Sequence, residues 1–234
     1  MKKTFIVLAL AFLSLGLRAQ QVDSVCLVDW SSIARLVKTR PDSVRNLNAR
    51  LARQEPDSTL TMALCVLAFY GQTYLPQFGQ LDLLESTVND SIKKGRVEGA
   101  YNIASKAVRA WPLSLAANKC MATVIYVMLQ DPVYSARVTE GNLRYYVHMI
   151  SRLVKIIAAT GDGSAESPYA VTSVADEYVF CNLWLRASVS QQILVRGKVP
   201  CDRLMLINKQ GDYTRDYVDF DITRVMEIER QMFQ

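Results

Sequence analysis

The carboxylates hold most of the reactive potential in this sequence. Asp162, Glu166, Asp176, Glu177, Asp219 and Asp221 are of the type that general acid–base hydrolysis needs, and two of them at a suitable separation would act on a glycosidic bond. Chain spacing does not fix distance in space, so a carboxylate-dependent hydrolase or glycan-acting enzyme requires a concave pocket that gathers two or more of them with raised pKa values. In Gly161-Asp162-Gly163-Ser164-Ala165-Glu166-Ser167-Pro168, the side chains of Asp162, Ser164 and Glu166 offer oxygens to a calcium ion. The run lacks the regular ligand spacing and the closing Glu of an EF-hand. A turn in which glycine takes positive φ, and Asp or Ser caps backbone groups, accounts for the same residues.

Other chemistries lack their minimum residue sets. There is no GxGxxG, GxxxxGK[ST], HExxH or GxSxG, so no cofactor is expected. The single histidine, His148, would have to serve any Ser-His-Asp or Cys-His device. Five cysteines, Cys26, Cys65, Cys120, Cys181 and Cys201, form no CxxC or Cys/His cluster of metal-ligand spacing, so no metal is expected. Their number is odd. Cys65 and Cys120 sit in apolar segments and read as small buried hydrophobes. Cys181 and Cys201 are the candidate disulfide, with buried reduced thiols as the alternative.

The elements that must position these groups fall into three regions. Lys2 and Lys3 precede the apolar run Phe5–Leu17, and Leu17-Arg18-Ala19 offers a small residue before Gln20. This three-part order reads residues 1–19 as a signal peptide. The run has 13 residues, too few for the roughly 20 that a membrane span needs.

Residues 20–160 read as a helical region. Asp42 is a candidate N-cap, with Val44, Leu47 and Leu51 on one face of the helix that follows. Leu60–Tyr70 is apolar all round, which predicts a central covered helix. Gly71–Gly79 reads as a loop holding Tyr74, Pro76, Gln77 and Phe78. Further helices are expected over Leu81–Lys94, Val97–Ala110, Ser114–Gln130 and Arg137–Ala159. Ala100, Ala104, Ala107 and Pro112 follow a weakly tetratricopeptide-like pattern, which predicts stacked helical hairpins rather than a repeat array. In the last helix Leu143, Tyr146, Val147, Ile150, Leu153, Val154 and Ile157 face a core. Arg144, His148, Ser151, Arg152 and Lys155 form the opposite, basic face, read as solvated but able to meet anionic lipid headgroups.

Residues 161–234 read as β-rich and as one cooperative unit with the helices. Strands are expected over Tyr169–Ser173, Val179–Leu185 (a buried strand or a helix) and Ser188–Val195, and a hairpin pairs Arg203–Asn208 with Tyr213–Ile222. In its second strand Val218, Phe220 and Ile222 point one way and Tyr217, Asp219 and Asp221 the other. Thr223 is expected to cap a last helix carrying Val225, Ile228 and Met232. The whole is α+β: a stack of helical hairpins packed on a small, mainly antiparallel C-terminal sheet.

The formal charge of +5 does not point to nucleic acid. Loss of Lys2, Lys3 and Arg18 with the leader leaves 24 basic against 22 acidic side chains, a net of +2, without the strong positive stripe of a polyanion binder. Gly161-Asp162-Gly163-Ser164, Asp176-Glu177-Tyr178, and Cys201-Asp202 ahead of a hairpin, with Phe69-Tyr70-Gly71-Gln72 in the N-terminal half, resemble a family of exported Bacteroidota proteins known only as a domain of unknown function. The resemblance implies a periplasmic or secreted protein of helical-plus-β build. It brings no activity and no catalytic residues. It marks the turn around Asp162, and Asp176-Glu177-Tyr178, as the candidate functional surface; the alternative for the latter is that Asp176 and Glu177 are merely solvated and Tyr178 anchors a strand. With no assembled catalytic set, the expected role is a non-catalytic envelope protein that binds a protein or peptide partner, without a transmembrane segment after cleavage.

Overall fold

A helix that is apolar on every side has to be covered on every side, and that requirement organises the helical half of this protein. The computed structural model describes residues 28–72 and 80–232. The predicted signal peptide, Cys26, and the loop residues Tyr74, Pro76, Gln77 and Phe78 lie outside the described residues, as do the side chains of Ile228 and Met232. The helices are α1 (Trp30–Thr39), α2 (Pro41–Ala52), α3 (Met62–Tyr70), α4 (Leu84–Lys93), α5 (Val97–Ala110), α6 (Leu115–Leu129) and α7 (Glu140–Ala158).

Of the two all-round apolar helices, α6 is enclosed along most of its length and α3 from Cys65 onward, with Met62 at its start 40% exposed. On α6, Leu115, Ala116 and Ala122 enter one hydrophobic cluster, while Ala117, Cys120, Met121, Val124, Ile125 and Met128 enter a second one built with α4 and α5. Ala100, Ala104 and Ala107, the small residues of the hairpin pattern, line that second cluster. The face expected on α7 is the buried one, with Ile150, Leu153, Val154 and Ile157 at 0% exposure.

Helix starts follow their local chemistry. Pro41 opens α2 at its first position, where the missing N–H costs nothing, so Asp42 lies inside the first turn and is not the cap. Thr139 and Asn142 form a capping box that starts α7 at Glu140, after a separate 3₁₀ turn at Ser135–Arg137.

The sheet comprises β1 (Tyr169–Ala170), β2 (Ser188–Arg196), β3 (Pro200–Ile207) and β4 (Tyr217–Asp221) in the order β1-β4-β3-β2. β1 runs parallel to β4 and the other pairs are antiparallel. The hairpin is present, with Leu204 opposite Val218 and Asp202 opposite Phe220. Leu204, Val218 and Phe220 are fully buried on the helix-covered face.

The region after residue 160 is less β-rich than expected. Of the two readings open for Val179–Leu185, strand or helix, the helix is the one adopted: α8 (Val174–Phe180) runs into a π turn at Cys181–Leu185 and stops at Arg186, whose φ is 53°. An apolar run reads alike as covered strand or covered helix, and here tertiary packing decides. Phe180 packs between Tyr169 and Phe220, at centroid distances of 4.8 and 5.8 Å. The chain ends in α9 (Thr223–Met232). Thr223 does not cap it; the Asp221 carboxylate does the work, accepting from the Thr223 N–H at 2.8 Å and its hydroxyl at 2.6 Å.

Candidate functional site

At the turn the side chains of Asp162 and Ser164 are engaged. Asp162 Oδ1 accepts from the Ser164 N–H at 2.9 Å, and Oδ2 pairs with Arg215 at 3.1 Å. Partial burial raises the Asp162 carboxyl, but these bonds outweigh it and hold the pKa below the ordinary value. Ser164 Oγ accepts from the Ser167 N–H, and Glu166 is exposed. Gly163 has φ 77°, and a Cβ there would meet Tyr213 Oη, Val218 Cγ2 and Tyr169 Cε2 within 2.8 Å. Gly161 packs against the Pro168 carbonyl with equally little room. The turn is a tight structural joint on the sheet.

α8 presents the opposite situation. Asp176 and Glu177 have 0% exposure, while Tyr178 is exposed. This inverts the expected arrangement, because α8 is wedged between α6 and the sheet. Asp176 Oδ1 accepts from the Ala116 N–H at 2.9 Å and the Ser114 hydroxyl at 3.3 Å, at the start of α6. Its Oδ2 has no hydrogen-bond partner. Burial pushes the Asp176 carboxyl up to about 6 in spite of those donors. Neither oxygen of Glu177 has a partner. Burial first, and then the carboxylates Asp202, Asp176 and Asp82, hold its pKa well above the ordinary value, which favours the protonated form. Tyr178 donates to Gln192 Oε1 at 2.9 Å, and Gln192 Nε2 donates to Asp202 Oδ2 at 2.5 Å.

The outward side of α8 borders a groove of about 690 Å³ facing α4. One wall is largely aliphatic, with Ala116, Val174, Ala175 and Val179, and Tyr178 and Gln192 line it too. The opposite wall carries Glu85, Ser86, Asn89, Asp90 and Lys93 of α4 and Asp82 from the turn before it. Glu85 is committed to the buried Lys119 at 2.7 Å. Partial burial raises the Asp82 carboxyl. Asp176 and Glu177 do not line this groove. Asp219 is held in a two-bond pair by Arg203 at 2.7 and 2.8 Å, and Asp221 is bonded by Trp30 and Thr223. The six carboxylates named from sequence thus do not converge on one cavity.

The basic face of α7 does not assemble as expected. Arg152 is only 8% exposed, turned inward to the Glu55 carbonyl at 2.6 Å and to Asp57 at 3.0 Å. Arg144 lies outside beside Glu140, Lys155 is half-buried, and exposed His148 meets Gln54 Oε1 through Nδ1 at 2.7 Å. Cys181 and Cys201 are separate buried thiols, not a disulfide, because Cys181 lies on the helix side of the sheet while Cys201 alternates to the other face of β3. Burial pushes the Cys201 thiol up to about 12 and Cys181 upward as well. Among the described residues no group of three or more His, Cys, Asp or Glu side chains is placed to hold a metal ion, and no helix is long and apolar enough to cross a membrane.

Fold and site together define an α+β protein whose acidic motif is internal and whose open feature is a half-apolar, half-polar groove. The chain belongs to the family described as a domain of unknown function (DUF4919), which it matches over residues 43–231. No curated protein and no solved structure matches it. The groove residues Asp82, Glu85, Ser86 and Asn89 escaped sequence reasoning, since they look like any solvated helix face.

Proposed function

We propose that this protein, like the exported Bacteroidota proteins whose motifs it resembles, loses residues 1–19 and serves in the cell envelope as a non-catalytic binding protein for a protein or peptide segment. The groove between α4 and α8 supports this reading: an aliphatic wall opposite a hydrogen-bonding wall suits an amphipathic peptide segment. The hydrolase alternative has the raised Asp176 carboxyl in its favour, and against it the position of that group behind α8, away from the groove. Crosslinking in native envelopes tests the proposal with the wild type and with Ala175→Arg, which fills the groove. A specific adduct of the wild type that disappears in Ala175→Arg is the expected result. Identical adducts in both proteins, or none above a scrambled control, would count against it.

A further inference from the structure

We infer that β2 pairs edge to edge with β2 of a second copy of this chain. β2 is the last strand of the sheet and, among the described residues, is hydrogen-bonded on one side only, to β3. Exposed edges are normally blunted by lysine, proline or an inward charge, because their free N–H and C=O groups template association. Ser188–Val195 holds no lysine, proline or charge; Arg196 is the last residue of the strand, and Arg186 and Lys198 lie outside it. The irregularity between Val189 and Gln191 disturbs only the beginning, leaving Gln191–Arg196 in regular register with β3.

Within that stretch Ile193 and Leu194, on opposite faces, are 41% and 54% exposed. The helix cover reaches Gln192 through Tyr178 and leaves Leu194 open. The aliphatic triplet Ile193-Leu194-Val195 is nearly its own reverse, and this selects the occupant. An antiparallel pairing centred on Leu194 sets Leu194 against Leu194, Ile193 against Val195, and Gln192 against Arg196. Apolar side chains meet apolar ones on both faces, and no like charges oppose each other. The interface is isologous. Its two-fold axis stands perpendicular to an eight-stranded sheet, so both copies of α8, and the grooves that Gln192 lines, lie on the same side. The inference rests on the sheet and holds whether or not the groove binds a peptide.

Sedimentation velocity of the purified protein over a concentration series tests it. The wild type should dimerise, and Leu194→Lys, which places two lysines face to face at the axis, should weaken dimerisation by at least about tenfold, as should Ile193→Lys. Ile207→Lys alters an equally exposed aliphatic residue on β3 and should leave the dimer intact. Both edge positions are exposed, and unchanged circular dichroism melts would establish that these variants fold. Leu194→Cys should give a covalent dimer on mild oxidation, and Ile207→Cys should not. A wild type that stays monomeric at every concentration overturns the inference and returns the edge to a foreign strand or to none. A dimer that survives both edge variants, or that Ile207→Lys disrupts equally, overturns it too.

Discussion

The turn at Gly161–Ser167 and helix α8 stand in the same half of the chain and both bear acidic residues, yet they treat those residues in opposite ways. Asp162 stays partly in water, with an N–H and a guanidinium on its two oxygens, and its pKa is depressed. Glu177 is sealed from water with no donor on either oxygen, and its pKa is raised. Burial and donors act together on the charge of a carboxyl: Asp162 has both water and donors and is depressed, Asp176 is buried with two donors and rises to about 6, and Glu177 is buried with none and is held well above its ordinary value. A carboxylate given donors can act as a fixed joint. One sealed from water without donors favours its protonated form, and it then makes the fold around it sensitive to pH.

The largest test of this contrast is to break the turn. Gly163→Ala combines a positive φ with a Cβ that has no space, and it should cost about 3 kcal/mol, read as a lower urea midpoint. Helices and sheet should still unfold in a single transition, since one hydrophobic cluster runs from Ile33 through α7 and α8 to Ile222.

Removing each region's bonded carboxylate sharpens the comparison. Asp176→Ala strands the buried Ala116 N–H and Ser114 hydroxyl and should cost about 2 kcal/mol. Asp162→Ala, at a half-exposed site, should cost under about 1 kcal/mol in the same urea titration.

The pH profile separates the regions by sign. Glu177 has a folded pKa above its unfolded 4.5, so the stability it contributes is fully present below that value and is lost as pH rises through the folded pKa. Asp162, with a depressed pKa, contributes stability above 3.8 that is lost as pH falls. Glu177→Gln should therefore flatten the decline of stability on the alkaline side and leave the acid limb unchanged, as urea midpoints over a pH series would record. The smallest effect concerns the thiols. Cys65, Cys120, Cys181 and Cys201 should resist alkylation in the native protein and react after denaturation, as intact mass would report.

Much of the frame was legible in the sequence because periodicity reports coverage. The bounds of α5, the buried stripe of α7, the enclosed α3 and the β3–β4 hairpin all follow from the spacing of apolar residues. The π turn after α8 was not legible, since Val179–Leu185 is apolar without a period and only its place between α6 and the sheet makes it helical. The inward turn of Asp176, Glu177 and Arg152 was hidden for a related reason. Charged residues default to solvent, and the partners that draw Asp176 and Arg152 inward, the start of α6 and the Glu55–Asp57 loop, are remote in sequence. The groove needed three elements, α4, α8 and β2, to be seen together.

The contrast between the two acidic regions is tested most directly by following side-chain carboxyl carbon resonances through a pH titration, with Glu177→Gln and Asp162→Asn providing the assignments. The account predicts that Glu177 stays protonated well above the ordinary carboxylate range while Asp162 titrates below it. If instead both titrate together at ordinary values, Glu177 lies in water, the account of α8 fails, and its carboxyls become available for chemistry.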